Sequence, residues 1–249
     1  MQSDFKDKVV VISGSGRGIG ATAAAAFAQR GAKVGVWDLE IDRAQSVVEQ
    51  IREAGGEAIA VSGSVGSSEA VNSAIREIAR AFGTIHVLIN NAGYGNDASV
   101  VEMTDAQWDD VINVCLTSQF YCARAAAPYM IKQRYGRIVN ISSRTHMGEF
   151  NKSNYCAAKA GVLGFTRALA FELGEYNITA NAIAPGIVRT ERVLAQSAYA
   201  GLSERARERQ LIKRDAVTDD IVNGMLFFAA ESSGFVTADM LHITGGRMS

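Results

Sequence analysis

The sequence predicts an α/β protein with a doubly wound parallel sheet and a three-layer α/β/α architecture. Short apolar runs rich in β-branched residues alternate with longer segments of helical period, and this alternation is typical of repeated βαβ units. The strand-like runs are residues 9–13, 33–38, 58–62, 87–90, 137–142, 179–184 and 240–243. Right-handed crossovers between such units would place a ligand site at the carboxyl ends of the strands.

The segments between these runs are alanine-rich or amphipathic and predict helices, for example over residues 21–30, 41–54 and 68–82. A chain of 249 residues, 48% of them hydrophobic, can bury one substantial core. No repeat or linker interrupts the pattern, so residues 1–249 are expected to form a single domain. Residues 189–217 are weakly patterned, and two interpretations stay open for them: a substrate lid or a solvated helical excursion.

Charge and composition exclude several classes of partner. The 25 Lys and Arg residues nearly balance the 26 Asp and Glu residues, and no basic stripe predicts nucleic-acid binding. The first eight residues are too polar to contain the apolar core of a signal peptide, and no apolar run reaches the roughly 20 residues of a membrane span, so we expect a cytoplasmic protein with no membrane partner. The cysteines, Cys115, Cys122 and Cys156, lack metal-ligand spacing and predict reduced thiols and no metal site.

A glycine-rich loop follows the first predicted strand and opens the first predicted helix. It contains Gly14, Gly18 and Gly20, with Arg17 and Ile19 between them. Glycine permits a tight turn and close approach of the backbone to a pyrophosphate, and the N–H groups that open the helix point at the anion. The context therefore favours a dinucleotide site over a structural turn without a ligand.

The second strand ends at Asp38, eighteen residues beyond Gly20, where an acidic residue is expected to accept hydrogen bonds from the adenosine ribose. A carboxylate at this point would repel a 2′-phosphate, so NAD is favoured over NADP. Arg17 and Arg43 argue the other way, because a guanidinium could bind that phosphate. Asp38 could also serve as the N-cap of the next helix, which is compatible with cofactor binding.

Tyr155 and Lys159 stand four residues apart, a spacing that puts both side chains on one face of a helix. By itself the pair is weak evidence for a site, since such pairs are common on solvated helices. An ordinary tyrosine is a poor base at neutral pH, so catalysis by Tyr155 would need positive charge nearby, which Lys159 could supply.

Five sequence elements in order resemble the short-chain dehydrogenase/reductase family over nearly the whole chain. They are the glycine loop, residues 90–93 (Asn-Asn-Ala-Gly), residues 140–143 (Asn-Ile-Ser-Ser), the Tyr155/Lys159 pair, and residues 185–190 (Pro-Gly-Ile-Val-Arg-Thr). The resemblance implies a Rossmann-like single domain, a nicotinamide cofactor, a small-molecule substrate, and interconversion of an alcohol with a ketone or aldehyde.

The resemblance also implies roles for individual residues. Tyr155 would be the general acid/base, Lys159 would bind the nicotinamide ribose, and a serine would hydrogen-bond the substrate oxygen. Strand register selects Ser143, whereas counting back from Tyr155 selects Ser142; we prefer Ser143, because loops absorb deletions and strands do not. The expected cofactor-binding residues are Gly14, Arg17, Gly18, Ile19, Gly20, Asp38, Leu39, Ser64, Val65, Asn91, Ala92, Gly93, Tyr155, Lys159, Pro185, Gly186, Val188 and Thr190.

The chain departs from the family pattern at one helix position. Family members have an asparagine there, which supports a water in the proton relay. Cys115 stands there instead, and a thiol is a much weaker hydrogen-bonding group than a carboxamide. Asn113 does not restore the motif, since two residues along a helix turn about 200° around it. Turnover with a weaker relay is one hypothesis; a cofactor-binding sensor or scaffold with impaired catalysis is the alternative. Ser64 replaces a commonly found aspartate near adenine.

The substrate is expected to contact Tyr94, Thr145, Ser143 and Tyr155, in a pocket for a ring-bearing or polar secondary alcohol. His146 is interpreted as an ordinary loop histidine, because no second histidine lies beside it in sequence. A Rossmann-type methyltransferase would explain the glycines but not the serine, tyrosine and lysine. The resemblance and the apolar segments 221–230 and 234–243 together predict a homodimer or homotetramer.

Overall fold

The computed structural model describes residues 4–195, 197 and 199–247. Within them, seven strands form one parallel sheet in the order β3-β2-β1-β4-β5-β6-β7. The strands are β1 (Val9–Ser13), β2 (Lys33–Asp38), β3 (Glu57–Ser62), β4 (Val87–Asn90), β5 (Gly136–Ile141), β6 (Ile178–Pro185) and β7 (Met240–Ile243). The sheet confirms the predicted doubly wound, Rossmann-like α/β fold.

Helices connect the strands and cover the sheet. They are α1 (Gly18–Ala28), α2 (Ile41–Glu53), α3 (Ser68–Phe82), α4 (Asp105–Ile112), α5 (Ser118–Gln133), α6 (Ser153–Leu173), α7 (Glu191–Leu194), α8 (Tyr199–Arg209) and α9 (Thr218–Ala229). A π-helical turn, Asn113–Thr117, joins α4 to α5, and a 3₁₀ turn, Arg144–Met147, follows β5. None of the helices in the described part of the chain is both long and apolar enough to cross a bilayer.

The core lies on both faces of the sheet, as β1 illustrates. Every residue of β1 is buried, and successive side chains point to opposite faces. Val10 and Ile12 pack in the cluster that includes Phe27 of α1, whereas Val9 and Val11 pack in the cluster on the other face. The sequence of the strand is therefore almost continuously apolar, which is the expected pattern for a parallel strand buried on both faces.

Predicted and observed boundaries differ by only a few residues. The strands predicted at 58–62, 137–142 and 179–184 differ by one residue at one or both ends, and the others match. The helix predicted at 21–30 begins three residues earlier, because the last glycines of the loop already form its first turn. The segment 189–217 contains α7 and α8, and its ends approach one another through a bridge between Val188 and Ala216.

The order of the sheet defines where a ligand can bind. The chain leaves β1 toward β2 on one side and returns to β4 on the other side. At such a switch point the connections diverge and leave a crevice beyond the carboxyl ends of the strands. The glycine loop follows β1 and residues 91–93 follow β4, so both line this crevice.

Candidate active site

The glycine loop adopts the backbone conformation that a phosphate cradle requires. Gly14 and Gly18 have φ of 63° and 56°, in the left-handed region that favours glycine. A Cβ on Gly20 would lie 2.3 Å from the carbonyl oxygen of Gly14, so glycine is needed there for close packing. The N-cap of α1, Arg17, makes no side-chain capping hydrogen bond; its first-turn N–H groups suit an anionic ligand.

Asn91 fastens the loop after β4 to the loop after β1. Its Nδ2 donates to the carbonyl oxygens of Ser13 and Gly14, both at 3.0 Å. The Ser13 hydroxyl in turn accepts from the backbone N–H groups of Asn91 at 3.1 Å and Ala92 at 3.2 Å. These bonds fix the two sides of the crevice relative to one another.

Asp38 is held at the end of β2 by backbone hydrogen bonds. Its Oδ2 accepts from the N–H of Gly16 at 3.0 Å, and its Oδ1 accepts from the N–H of Glu40 at 3.2 Å. The N-cap of α2 is Glu40, so the N-cap interpretation of Asp38 is wrong: the N-cap lies two residues later in the chain. Arg43 Nη1 lies 2.8 Å from Glu40 Oε1, which partly neutralises this guanidinium.

Ser64 and Val65 lie in the loop after β3, next to the end of β2. The Ser64 hydroxyl accepts from the N–H of Gly66 at 3.2 Å. Asn113 donates from Nδ2 to the carbonyl oxygen of Gly66, also at 3.2 Å. Asn113 therefore stabilises this loop. This agrees with the prediction that Asn113 does not take the role of the family's asparagine. Leu39, at the end of β2, is 69% exposed.

Tyr155 and Lys159 lie one turn apart near the start of α6. Lys159 Nζ is 5.5 Å from the centroid of the Tyr155 ring, which agrees with the shared face predicted from the spacing. The lysine side chain is 2% exposed, and its ammonium donates to the carbonyl oxygen of Ile141 at 2.7 Å. A cation is thus held beside the tyrosine, away from bulk water.

The two candidate serines have different surroundings. The Ser142 hydroxyl is buried and donates to the backbone carbonyl of Lys159 at 2.7 Å. The Ser143 side chain is half-buried, and its oxygen accepts from the N–H of Thr145 at 3.2 Å, which leaves its hydroxyl proton available for a ligand. Ser142 is thus engaged within the fold, whereas the Ser143 hydroxyl keeps a donor direction open.

Cys115 lies beside the lysine, in the π-helical turn. The thiol is fully buried and donates to the carbonyl oxygen of Tyr94 at 3.2 Å. A Cβ added to Gly93 would lie 3.3 Å from both Cys115 Sγ and Lys159 Nζ, so these two groups face the same small space. Gln119 Nε2 donates to the carbonyl oxygens of Cys115 at 3.2 Å and Ile141 at 3.4 Å.

Two further side chains were expected to contact the substrate. The Tyr94 hydroxyl donates to the Asp110 carboxylate; burial, and then this carboxylate, raise the pKa of Tyr94 to about 12. The Arg192 guanidinium of α7 lies 5.5 Å from the Tyr94 ring centroid. The hydroxyl of Thr145 is buried and has no hydrogen-bond partner among the described residues.

The motif that follows β6 reaches over the glycine loop. A Cβ on Gly18 would lie 3.4 Å from Cγ2 of Thr190, and the Thr190 hydroxyl oxygen accepts from the N–H of Val193 at 3.3 Å, capping α7. Val188 is buried, while the Gly186 N–H donates to the carbonyl oxygen of Ile243 at 2.9 Å. Pro185 ends β6 and directs this motif toward the crevice.

His146 has a partner that no sequence pattern indicated. Its Nε2 lies 3.0 Å from Nε2 of His242 on β7, 96 residues away. Partial burial, and then proximity to His242, lower the pKa of His146. The interpretation of His146 as an ordinary loop histidine did not foresee this partner, because the contact depends on β5 and β7 lying on either side of β6. Among the described residues, no group of three or more His, Cys, Asp and Glu side chains is arranged to hold a metal ion.

The fold and this crevice are typical of nucleotide-dependent α/β enzymes. Comparison with known proteins identifies the family. A family model described as enoyl-(acyl carrier protein) reductase matches residues 14–247. The chain belongs to the short-chain dehydrogenase/reductase family, whose members are oxidoreductases that bind a nicotinamide cofactor. The resemblance inferred from the motifs is thereby confirmed, and the alternative of a non-catalytic sensor is not favoured.

Relatives match the chain over nearly its full length. It is 36% identical over 247 residues to (2S)-((R)-hydroxy(phenyl)methyl)succinyl-CoA dehydrogenase subunit BbsD of Thauera aromatica, covering 98% of this chain and 97% of the relative. It is 36% identical over 242 residues to the 3-oxoacyl-(acyl-carrier-protein) reductase FabG of Staphylococcus epidermidis, covering 96% and 98%.

A solved structure of similar shape carries a cofactor. The crystal structure of a 3-oxoacyl-(acyl-carrier protein) reductase with bound NAD from Brucella melitensis superimposes with a TM-score of 0.92 at 30% identity. The alignment covers 100% of this chain and 94% of that one. The whole described fold is thus that of a family member.

Proposed function

We propose that this protein interconverts a secondary alcohol and a ketone with NAD as the cofactor and Tyr155 as the general acid/base. The observation that carries the proposal is the Tyr155/Lys159 pair, with the ammonium 5.5 Å from the ring centroid at the carboxyl edge of the sheet. Ser143, whose hydroxyl proton is left available by its bond from the Thr145 N–H, completes the constellation.

The crevice fits a dinucleotide. The left-handed glycines and the uncapped start of α1 suit a pyrophosphate, and residues 91–93, 185–186, 188 and 190 would hold the remainder of the molecule. Asp38 supports NAD over NADP, because a fixed carboxylate at the end of β2 repels a 2′-phosphate. The ion pair of Arg43 with Glu40 also supports NAD, since it engages one of the two guanidinium groups, Arg17 and Arg43, that could bind such a phosphate.

Each catalytic side chain has a distinct task. The bound cofactor would accept or supply the hydride. Tyr155 takes the proton from the alcohol in oxidation and returns one to the ketone oxygen in reduction. Lys159 holds a positive charge beside the phenol that exchanges the proton, and Ser143 donates a hydrogen bond to the oxygen on which negative charge develops during reduction.

A ketone within an acyl thioester is the substrate class that the relatives favour. One is named for a succinyl-CoA compound with a hydroxy(phenyl)methyl group and the other for 3-oxoacyl groups. Exposed apolar side chains on the loops after β4 and β5 support this choice, among them Val100, Val101 and Phe150, which are 77%, 89% and 91% exposed. Tyr94 and Thr145 would contribute polar contacts to the same substrate.

The test follows nicotinamide absorbance with NADH and NADPH, using acetoacetyl-CoA as the thioester probe beside simple cyclic and acyclic ketones. We expect turnover with NADH, and a loss of about 10²-fold or more in kcat for Tyr155→Phe, the range of general acid–base catalysis. Full activity of Tyr155→Phe would overturn the mechanism. A preference for NADPH would overturn only the cofactor assignment.

The two serines provide a matched pair of variants. Ser143→Ala is expected to lower kcat by about 10²-fold, since removal of one hydrogen-bond donor to a developing oxyanion has an effect of this size. Ser142→Ala loses a buried hydrogen bond and is expected to lower stability by about 1 kcal/mol with a smaller effect on kcat. The reverse ranking of the two kcat values would show that Ser142 is the catalytic serine.

Residues 189–217 are proposed as a substrate lid. Arg192 of α7 donates to the carbonyl oxygen of Gly93 at 3.5 Å and contacts the Tyr94 ring, so α7 spans the crevice from β6 to the loop after β4. This contact supports the lid over a solvated excursion with no role at the site.

A further inference from the structure

Asn154, the residue before Tyr155, is completely buried. Its side chain uses all of its hydrogen-bonding directions but one. Nδ2 donates to the carbonyl oxygens of Asn96 and Gln107, both at 3.0 Å, and Oδ1 accepts from the N–H of Tyr155 at 2.7 Å. One amide therefore joins the loop after β4, helix α4 and the first turn of α6.

The bond to the Tyr155 N–H lies where α6 needs it. The first N–H groups of a helix have no partner within the helix, and the N-cap of α6, Lys152, makes no side-chain capping bond. Asn154 supplies an acceptor to the very residue whose hydroxyl must be aimed at the substrate. Loss of this acceptor leaves the first turn of α6 free to shift relative to Lys159.

The two donor bonds hold the opposite wall of the crevice. Asn96 follows Tyr94 in the loop after β4, and its own side chain accepts from Gln107 Nε2 at 3.1 Å. Gln107 also closes the capping box of α4 with Thr104. The loop that carries Tyr94 is thus hydrogen-bonded to the same Asn154 side chain that holds the Tyr155 N–H.

We propose that Asn154 is a positioning residue with two separable functions, an inference that rests on the function proposed above. Its Oδ1 sets the place of Tyr155 and thereby kcat. Its Nδ2 sets the loop that carries Tyr94 and thereby the affinity for the substrate. No other side chain of this size offers two donors and an acceptor, so aspartate retains only the first function and alanine neither.

The test measures kcat and KM for acetoacetyl-CoA, the pH profile of kcat, and NADH affinity in Asn154→Ala and Asn154→Asp. For the alanine variant we expect a loss of about 10- to 100-fold in kcat, since small misplacements of catalytic groups have effects of this size. The pH profile of its kcat should differ from that of the wild type, because the displaced phenol and the Lys159 ammonium no longer keep their distance from one another. For the aspartate variant we expect a kcat closer to that of the wild type and a raised KM. NADH affinity should change little in either.

Asn72→Ala is the matched control, since its amide donates only to the Ser68 carbonyl of its own helix, at 2.8 Å. Hydrogen exchange of the Tyr155 N–H supplies a readout besides activity: the alanine variant should lose protection and the aspartate variant should keep it. If Asn154→Ala does not fold, Asn154→Asp alone tests the proposal: a kcat near that of the wild type with a raised KM supports it, and an unchanged KM contradicts it.

The outcomes separate this inference from the proposed function. An inactive wild type would overturn the function. An active wild type with an impaired Tyr155→Phe variant, but with unchanged kcat, KM and pH profile in the Asn154 variants, would overturn only the role of Asn154. A loss of kcat in the aspartate variant as large as that in the alanine variant would overturn the division of its two functions.

Discussion

Cys115 stands at the position of the candidate site where the sequence departs from the family pattern. The π-helical turn places its thiol in the space that Lys159 Nζ also faces, and the thiol donates only a weak bond to the carbonyl oxygen of Tyr94. A carboxamide there would offer stronger donors and an acceptor. The backbone carbonyl of the same residue is engaged by Gln119 at 3.2 Å, so the surroundings of the lysine are set by backbone and amide groups more than by the thiol.

Cys115→Asn is therefore expected to change turnover or its pH dependence. A new amide beside Lys159 would strengthen the hydrogen-bonded route for protons, and we expect a change in kcat of about threefold to tenfold, equivalent to roughly 0.6–1.4 kcal/mol in the barrier. The measurement is kcat against pH with acetoacetyl-CoA and NADH.

Two controls accompany this variant. Cys115→Ala removes the thiol without adding an amide. Cys122→Ala alters a buried cysteine of α5, where burial raises the pKa of the thiol to about 12 and makes it an inert core group. An unchanged rate and unchanged pH profile in Cys115→Asn would show that the relay does not depend on this position.

At the level of single elements, the start of α9 shows how a local charge pair fixes the end of the segment 189–217. Arg214 donates through Nη1 and Nη2 to the two carboxylate oxygens of Asp220, at 2.6 and 2.8 Å. Asp220 also accepts from the N–H of Val217 at 2.8 Å. The hydrogen bonds from Arg214, helped by that from Val217, lower the pKa of Asp220 to about 2.

Asp220→Asn is expected to lower the melting temperature by about 2 °C near pH 7, a modest shift for a chain of this size and a partly exposed pair. A carboxyl group whose pKa is depressed in the folded state contributes stability above its ordinary value near 4, and loses it as the pH falls toward 2. The difference between wild type and variant should therefore shrink between about pH 4 and pH 2. Thermal unfolding across this range checks the prediction, and a difference that grows with acidity would contradict it.

Much of the fold follows from local patterns, and less of the site does. The strands were predictable because β1 and its neighbours are buried on both faces and so form unbroken apolar runs. Tyr155 and Lys159 were predictable because four residues make one helical turn. The pairing of His146 with His242 was not, because it depends on the order of strands far apart in the chain. The contacts of Asn154 depend in the same way on loops that no periodicity describes.

At the scale of the whole molecule, the two edges of the sheet differ. At the β3 edge, Lys33 and Glu57 form an ion pair at 3.2 Å, and charged edges discourage association. Near the β7 edge lie exposed apolar side chains: Phe235 is 103% exposed, Phe227 of α9 51%, and Leu241 of β7 37%. Exposed apolar side chains near an edge strand are typical of a contact surface, which supports the homo-oligomer expected from the sequence.

We expect a dimer or tetramer in solution that is weakened by a charge at this edge. Phe235→Asp should lower the subunit count measured by sedimentation equilibrium, because association would bury an unpaired carboxylate, which is costly. Phe150→Asp is the matched control, since Phe150 is equally open at 91% exposure but lies on the loop after β5, at the rim of the crevice. Circular dichroism verifies that both variants stay folded. A monomeric wild type, or dissociation by Phe150→Asp but not by Phe235→Asp, would contradict the assignment of the β7 edge as the subunit interface.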